Sequence, residues 1–319
     1  MQIPILNVLL CLTGITITAI LVMVIHMEIR VLEYFLAVAR EQSISGASKF
    51  LHLTQPTLSR QLKELEEELG KQLFIRGKRT ITLTDDGVLL RKRAEEIIDL
   101  VQKTEAEVTA SNDYISGDIY IGAGETEGIR TLVSASKQIN RKHPDIRLNI
   151  ESGDAIDVLY KLDKGLIDFG LILGSFDKTK YDFIQLPTKD TWGLLVRADS
   201  HFAKKEYITS DDLLGEPIII SRQVYRNHDL AGWFGESFPK MKFVATCNLI
   251  FNGSVMVDEG IGYAITLDKL INNKEKFRFI PLKPELKISM YLVWKKYQIF
   301  SKAAGVFLDE VKRSINSRT

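Results

Sequence analysis

Arg60, Gln61 and Lys63, set among the hydroxyls of Thr57 and Ser59, are the residues of this sequence best equipped to handle another molecule. Arginine pairs two-pronged with guanine, glutamine pairs with adenine, and lysine and hydroxyl groups hold phosphate, so the run has the chemistry of a DNA reader. The backbone beneath it must be a helix: at about 100° per residue, Leu58, Leu62, Leu65 and Leu69 share one narrow sector. Pro56, Arg60 and Lys63 then occupy the opposite face. Thr54 suits an N-cap, Gln55 follows it, and Pro56 falls in the first turn, where its missing N–H is no loss. Glu64, Glu66, Glu67 and Glu68 come next and would be repelled by phosphate, so only the N-terminal half of the helix suits a groove.

The preceding residues supply the support this helix needs. Leu32, Phe35, Leu36 and Ala39 recur at helical spacing up to Glu41 and Gln42. Ser43 then suits the N-cap of a short second helix whose inner face is Ala47, Phe50 and Leu51, and His52 with Leu53 leaves room for a tight turn only. Two short helices so joined are a helix-turn-helix, over about residues 44–63. Beyond Gly70, a C-cap by residue type, Leu73, Phe74 and Ile75 lead into Arg76, Gly77, Lys78 and Arg79, and residues 80–83 alternate as a strand. The result is a hairpin with Arg76, Lys78 and Arg79 at its tip, a wing suited to backbone contact. Placement matters more than total charge: the whole chain has 42 Lys and Arg against 41 Asp and Glu, and residues 27–93 have 12 against 9.

The run SISGASKFLHLTQPTLSRQLKELEEELGKQLFIRGKRTITLTDDG resembles the winged helix-turn-helix of LysR-type transcriptional regulators. Two departures are visible: Gln42 stands where that family usually has Gly, and Ala47 and Ser48 stand where it has an Ala pair. Both lie on the scaffold. The resemblance implies that Gln55, Pro56, Thr57, Ser59 and Arg60 face the major groove, with Ser43 and Thr54 on the backbone and Arg76, Lys78 and Arg79 on the wing. Lys63 joins this set from its place on the helix.

Thr84 caps a further helix with Asp85 and Asp86 in its first turn, and Leu90, Ala94, Ile97, Val101, Thr104 and Val108 follow a heptad seam. Such a seam pairs two helices, or lies on its own domain; the resemblance favours the antiparallel linker-helix dimer of the family, and hence a homodimer or tetramer. After residue 116 strands and helices alternate, with strands at 118–122, 146–151, 168–173, 191–197, 217–221, 263–267 and 288–294. This is an α/β pattern with a mainly parallel sheet. It resembles the two-lobed, type 2 periplasmic-binding-protein-like effector domain of the same family. The expected architecture is therefore multidomain. An all-α winged helix-turn-helix (27–84) and linker helix (85–116) precede a two-lobed α/β effector domain (117–319), with lobe I at 117–187 and 268–319 and lobe II at 188–267.

Ligands of open α/β sheets bind beyond the carboxyl ends of strands, near helix N-termini. Those places here are Gly124, Glu125 and Thr126 after the first strand, Ser152 and Gly153 after the second, and Gly174 after the third, facing Thr191, Ser221 and Arg222. Each taken singly reads as an ordinary cap or turn; together they outline one effector cleft. The five histidines lack metal-ligand spacing, no G-x-S-x-G elbow occurs, and Gly122, Gly124 and Gly128 are spaced wrongly for a dinucleotide loop. No enzyme activity, cofactor or metal is expected. Cys247 has no partner thiol beyond the leader, which argues against a thiol switch.

Residues 1–27 carry no Asp, Glu, Lys or Arg, and residues 3–25 exceed the ~20 apolar residues of a membrane helix. A membrane-tethered solute-binding protein is the alternative reading. It leaves the DNA-reading helix without a purpose, and the leader lacks a basic n-region and a cleavage site. The expectation is that Met27 is the working start, that residues 1–26 are an upstream extension of the reading frame, and that the protein is cytoplasmic. Its expected partners are double-stranded DNA and a small-molecule effector of unknown identity.

Overall fold

The structure, a computed structural model, describes residues 27–77, 80–109, 114–222 and 228–317. The apolar leader, Lys78 and Arg79 lie outside the described residues. The chain divides into two compact units, Met1–Ile98 and Asp99–Thr319.

In the first unit, helices α1 (Ile29–Glu41), α2 (Ile44–Phe50) and α3 (Gln55–Leu69) precede a hairpin of β1 (Phe74–Arg76) and β2 (Ile81–Leu83) and the start of α4 (Asp85–Thr109). Leu32, Phe35 and Val38 of α1, Ala47 of α2 and Leu58, Leu62 and Leu65 of α3 are buried together with Leu73, Phe74 and Ala94. Gln42 ends α1 at φ 51°, ψ 24°, a left-handed conformation that a glycine would adopt without strain. Its carbonyl accepts from Ile81 N at 2.9 Å, which ties the scaffold helix to the wing. At Gly87 a Cβ would stand 2.2 Å from the Leu73 carbonyl, so α4 approaches the wing's entry only because that residue is glycine.

Leu90 and Ile97, from the expected heptad seam, pack against this same core, and Ala94 is fully buried in it. The seam is therefore partly spent within its own unit, the second of its two readings. The large apolar residues of α4 that stay exposed are Val88, Leu89, Leu100 and Val108.

The second unit is a nine-stranded sheet in the order β4 (Ile146–Ser152), β3 (Gly117–Ala123), β5 (Phe169–Leu173), β11 (Lys287–Lys295), β6 (Tyr181–Arg197), β9 (Tyr263–Leu267), β7 (Pro217–Ser221), β8 (Lys242–Cys247), with β10 (Phe277–Pro281) paired to β6. Strands β3, β4 and β5 run parallel, and so do β7, β8 and β9. Around β3 to β5, α5 (Ile129–Asn140) and α9 (Lys302–Asn316) cover one core, containing Leu132, Ile139, Phe307 and Val311. Helix α6 (Ala155–Asp163) contributes Val158 and Leu162 to another. A further core gathers Trp192, Leu194, Ile218, Ile220 and Ile265 with Leu230 and Phe234 of α7 (His228–Phe234), and α8 (Ile250–Asp258) packs beside it through Ile250 and Val257.

The two lobes share β6, which is far longer than the strand expected at 191–197. Its first part pairs with β11 and its last part with β9 and β10. Pro187 lies where the β6–β11 register shifts, between Gln185 opposite Tyr291 and Lys189 opposite Ser289; proline cannot donate to a ladder, which suits it to that place, and the change of partner follows between Thr191 and Trp192. The expected lobe boundary needs one correction. Residues 277–281 do not return to lobe I: β10 pairs with residues 193–197 of β6, and Ile280 and Leu282 are buried with the lobe II residues. The return comes through β11.

Candidate functional sites

The first site is the exposed face of α3. Thr54 is its N-cap, its hydroxyl accepting from Thr57 N at 3.3 Å and lying 2.8 Å from the Thr57 hydroxyl. Ser43 caps α2 in the same way, accepting from Gly46 N at 3.2 Å, so its hydroxyl has a structural task of its own. Gln55, Pro56, Thr57, Arg60 and Lys63 are exposed, Ser59 is half-buried, and Leu58, Leu62 and Leu65 are buried on the other side. Arg60 pairs with Glu64 at 3.1 Å and Lys63 with Glu67 at 3.2 Å, one turn along the helix. These exposed pairs hold little energy, so both cations can exchange their partner for phosphate or base. Glu66 turns inward, its carboxylate accepting from Leu73 N at 2.7 Å and Phe74 N at 3.2 Å. It therefore anchors the strand that leads to the wing. Arg76 is exposed at the end of β1.

The second site is a cavity of about 110 Å³ between the lobes of the second unit. Of the expected cleft residues it brings together Gly124, Glu125, Gly153 and Ser221. It does not bring in the others. Thr126 is buried and its hydroxyl donates to the carboxylate of Asp190. Ser152 is exposed, Gly174 donates its N–H to Ser289 O at 2.9 Å, and Thr191 donates its N–H to Asp268 at 2.8 Å. Arg222 reaches across the lobes to the carboxylates of Asp154 and Asp157, 2.7 Å from the latter.

The cavity's other walls went unrecognised in the sequence: Asp154, Leu171, Leu173, Trp192, Ile265, Leu267 and Ile288, and the segment from Cys247 to Ile250. Asp154 carried a readable signal, an Asp placed just before a helix. It caps α6 by accepting from Ile156 N at 3.0 Å and Asp157 N at 3.2 Å. Glu125 plays the matching part for α8, its carboxylate accepting from Ile250 N at 2.5 Å across the cleft. Burial pushes the Cys247 thiol above its ordinary range, and the Glu125 carboxylate adds to the effect. Among the described residues no group of His, Cys, Asp and Glu is arranged to hold a metal, and no helix is long and apolar enough to cross a membrane.

Residues 29–88 match the family described as "Bacterial regulatory helix-turn-helix protein, lysR family", and residues 112–316 match the "LysR substrate binding domain". The chain is 33% identical over 200 residues to the HTH-type transcriptional regulator BsdA of Bacillus subtilis, covering 62% of this chain and 68% of that protein. It is 28% identical over 278 residues to a hydrogen peroxide-inducible genes activator of Dickeya chrysanthemi, covering 84% and 90%. Among solved structures it shares its fold with CbnR, a LysR family transcriptional regulator, at TM-score 0.72 and 19% identity over 91% of this chain and 99% of that one. It also matches CbnR complexed with its target DNA, at TM-score 0.71 and 19% identity over 90% and 100%.

Proposed function

The chain belongs to the LysR family of DNA-binding transcriptional regulators, a non-enzymatic family, and on that premise we propose that it binds an inverted-repeat operator as a homo-oligomer and responds to a small molecule held between its lobes. One observation carries the DNA half of this reading: Gln55, Pro56, Thr57 and Arg60 stand exposed on the N-terminal half of α3 while the opposite face of that helix is buried. In this reading Gln55, Pro56, Thr57, Ser59 and Arg60 meet base edges. Ser43, Thr54, Lys63 and the wing cations Arg76, Lys78 and Arg79 hold the backbone.

The exposed apolar residues Val88, Leu89, Leu100 and Val108 of α4 support a contact between two copies, now in place of the expected Leu90, Ala94 and Ile97 seam. Two-fold pairing of subunits presents two recognition helices and calls for two half-sites. The cavity lined by Gly124, Glu125, Gly153 and Ser221 is the effector site in this account. DNA as the partner places the protein in the cytoplasm. Peroxide sensing through a disulfide is not part of the proposal, because Cys247 is the only cysteine beyond the leader. Sequencing the genomic DNA retained by the full chain tests the reading. An enriched inverted repeat is expected, and retention with no enriched motif would overturn it.

A further inference from the structure

The carboxylate of Glu64 holds two neighbours at once. Glu64 stands on α3 three residues beyond Gln61 and four beyond Arg60, the spacings at which helix side chains meet. Its Oε1 lies 3.1 Å from Arg60 Nε, and its Oε2 accepts from the Gln61 side-chain amide at 2.6 Å. Gln61 is half-buried, and with Glu64 and Leu65 it lines a crevice against Met27, Glu28 and Val31, where α1 begins. One oxygen of Glu64 is thereby tied to a half-buried amide, which gives the other a defined place on the helix. Glu67 makes the comparable contact to Lys63 at 3.2 Å, yet it is 62% exposed against 46% for Glu64, and among the described residues its carboxylate has no second partner.

Holding Arg60 in the free protein lowers the rotamer entropy that this long side chain still has to lose on a base. The contact uses Nε, so both terminal nitrogens remain for the O6 and N7 acceptors of guanine. The same carboxylate tells two kinds of acceptor apart. A guanine edge is uncharged, whereas a phosphate oxygen has the sign of Glu64 and is repelled by it, and Glu28 and Glu68, which line the same crevice, add to the effect. An exposed ion pair holds little energy, so the discrimination amounts to a few-fold.

We infer that Glu64 is a positioning residue that sets sequence specificity: it holds Arg60 by Nε with the terminal nitrogens left for a guanine edge, and it keeps Arg60 off the phosphates. This rests on the reading that the N-terminal half of α3 enters the major groove, and it adds to that reading a residue that meets neither base nor backbone. Loss of the Glu64 charge frees Arg60 to take a phosphate on any sequence, which raises affinity everywhere and lowers discrimination.

Glu64→Gln and Glu67→Gln remove the same charge from the same helix and so separate position from net charge. The affinities of the full chain and of both variants are measured on a genomically selected operator and on random duplex DNA over a range of salt concentrations. For Glu64→Gln the ratio of operator to random affinity is expected to fall about three- to fivefold, the scale of an exposed pair. The salt slope on random DNA should steepen by about 0.9, as one added phosphate contact requires. For Glu67→Gln both affinities should rise together, with the ratio unchanged. In an Arg60→Ala chain, Glu64→Gln should alter neither ratio nor slope. An unchanged ratio in Glu64→Gln, an equal fall in Glu67→Gln, or a fall that persists without Arg60 would overturn the role of Glu64 and leave the reading of α3 standing. Arg60→Ala losing equally on both DNAs, or no enriched operator at all, would overturn that reading and the role of Glu64 with it.

Discussion

Replacing Asp190 by Asn should stabilise this protein at neutral pH and leave it little changed in acid. Asp190 is 1% exposed, on β6 close to where that strand passes between the lobes. One carboxylate oxygen accepts from the Thr126 hydroxyl and the other has no partner. Burial, more than any other influence, holds its carboxyl above the ordinary range, with the Asp268 carboxylate adding to the effect. A folded-state pKa above the unfolded value of ~3.9 means that the folded protein holds the proton more strongly. The stabilising contribution is thus complete below the unfolded pKa and is lost as pH rises through the folded one. A tenfold change in proton affinity is worth about 1.4 kcal/mol between the two protonation states, which sets the scale of the penalty the buried charge carries at neutral pH. Asparagine keeps the shape and an oxygen for Thr126 without the charge. Urea denaturation of both chains from about pH 4 to about pH 7 should show Asp190→Asn gaining roughly 1–2 kcal/mol at the upper end, with the gain closing toward the lower. A variant less stable at neutral pH, or a difference that does not vary with pH, would refute the reasoning.

Three further expectations concern other parts of the molecule. Gln42→Gly removes a left-handed strain of about 1–2 kcal/mol and adds roughly 0.5–1 kcal/mol of unfolded-state entropy, so thermal melting should show a net gain of about 0.5–1 kcal/mol. Lys103 is bound at 2.8 Å to Asp168 and at 3.1 Å to Gly165 O, and the Asp168 side chain is only 3% exposed. Lys103→Met leaves that carboxylate buried without its counter-charge, held only by the Tyr120 N–H at 2.8 Å, and a loss of about 3 kcal/mol is expected in urea denaturation; a loss under about 1 kcal/mol would show that the pair is not a buried one in solution. Cys247, with its thiol pushed up by burial, should react with iodoacetamide more slowly than a free thiol at neutral pH. Alkylation at the rate of an unhindered cysteine would contradict that placement.

The DNA-reading unit was the most legible part of the sequence because its signals are local. Thr54, Pro56, the leucine stripe and Gly70 each act within a turn of where they stand, and α3 forms as they imply. Glu66 was grouped with the acids that phosphate would repel, and its inward role went unseen because its partners, Leu73 N and Phe74 N, lie beyond the helix. The heptad along α4 was periodic but could not tell which surface would cover it, and Leu90, Ala94 and Ile97 turned out to serve their own unit. In the second unit the strand pattern was clear, while β6 was only half seen, since its first part is partly exposed and interrupted by Pro187. The cleft was the least legible. Thr126 and Thr191 followed the rule that ligands sit after strands, but their polar groups are committed to Asp190 and Asp268. Glu125 was located, yet its contact with α8 lies 125 residues away and has no local signature.

The claim that most needs testing is that the N-terminal half of α3 reads base sequence. Arg60 stands 77% exposed there, paired with Glu64. The measurement is the affinity of wild-type and Arg60→Ala chains for a genomically selected operator and for random duplex DNA at the same salt concentration. A two-pronged base contact predicts a loss of about 1–3 kcal/mol on the operator and a much smaller one on random DNA. An equal loss on both would make Arg60 a phosphate contact, and no loss on either would remove this face of α3 from the DNA interface.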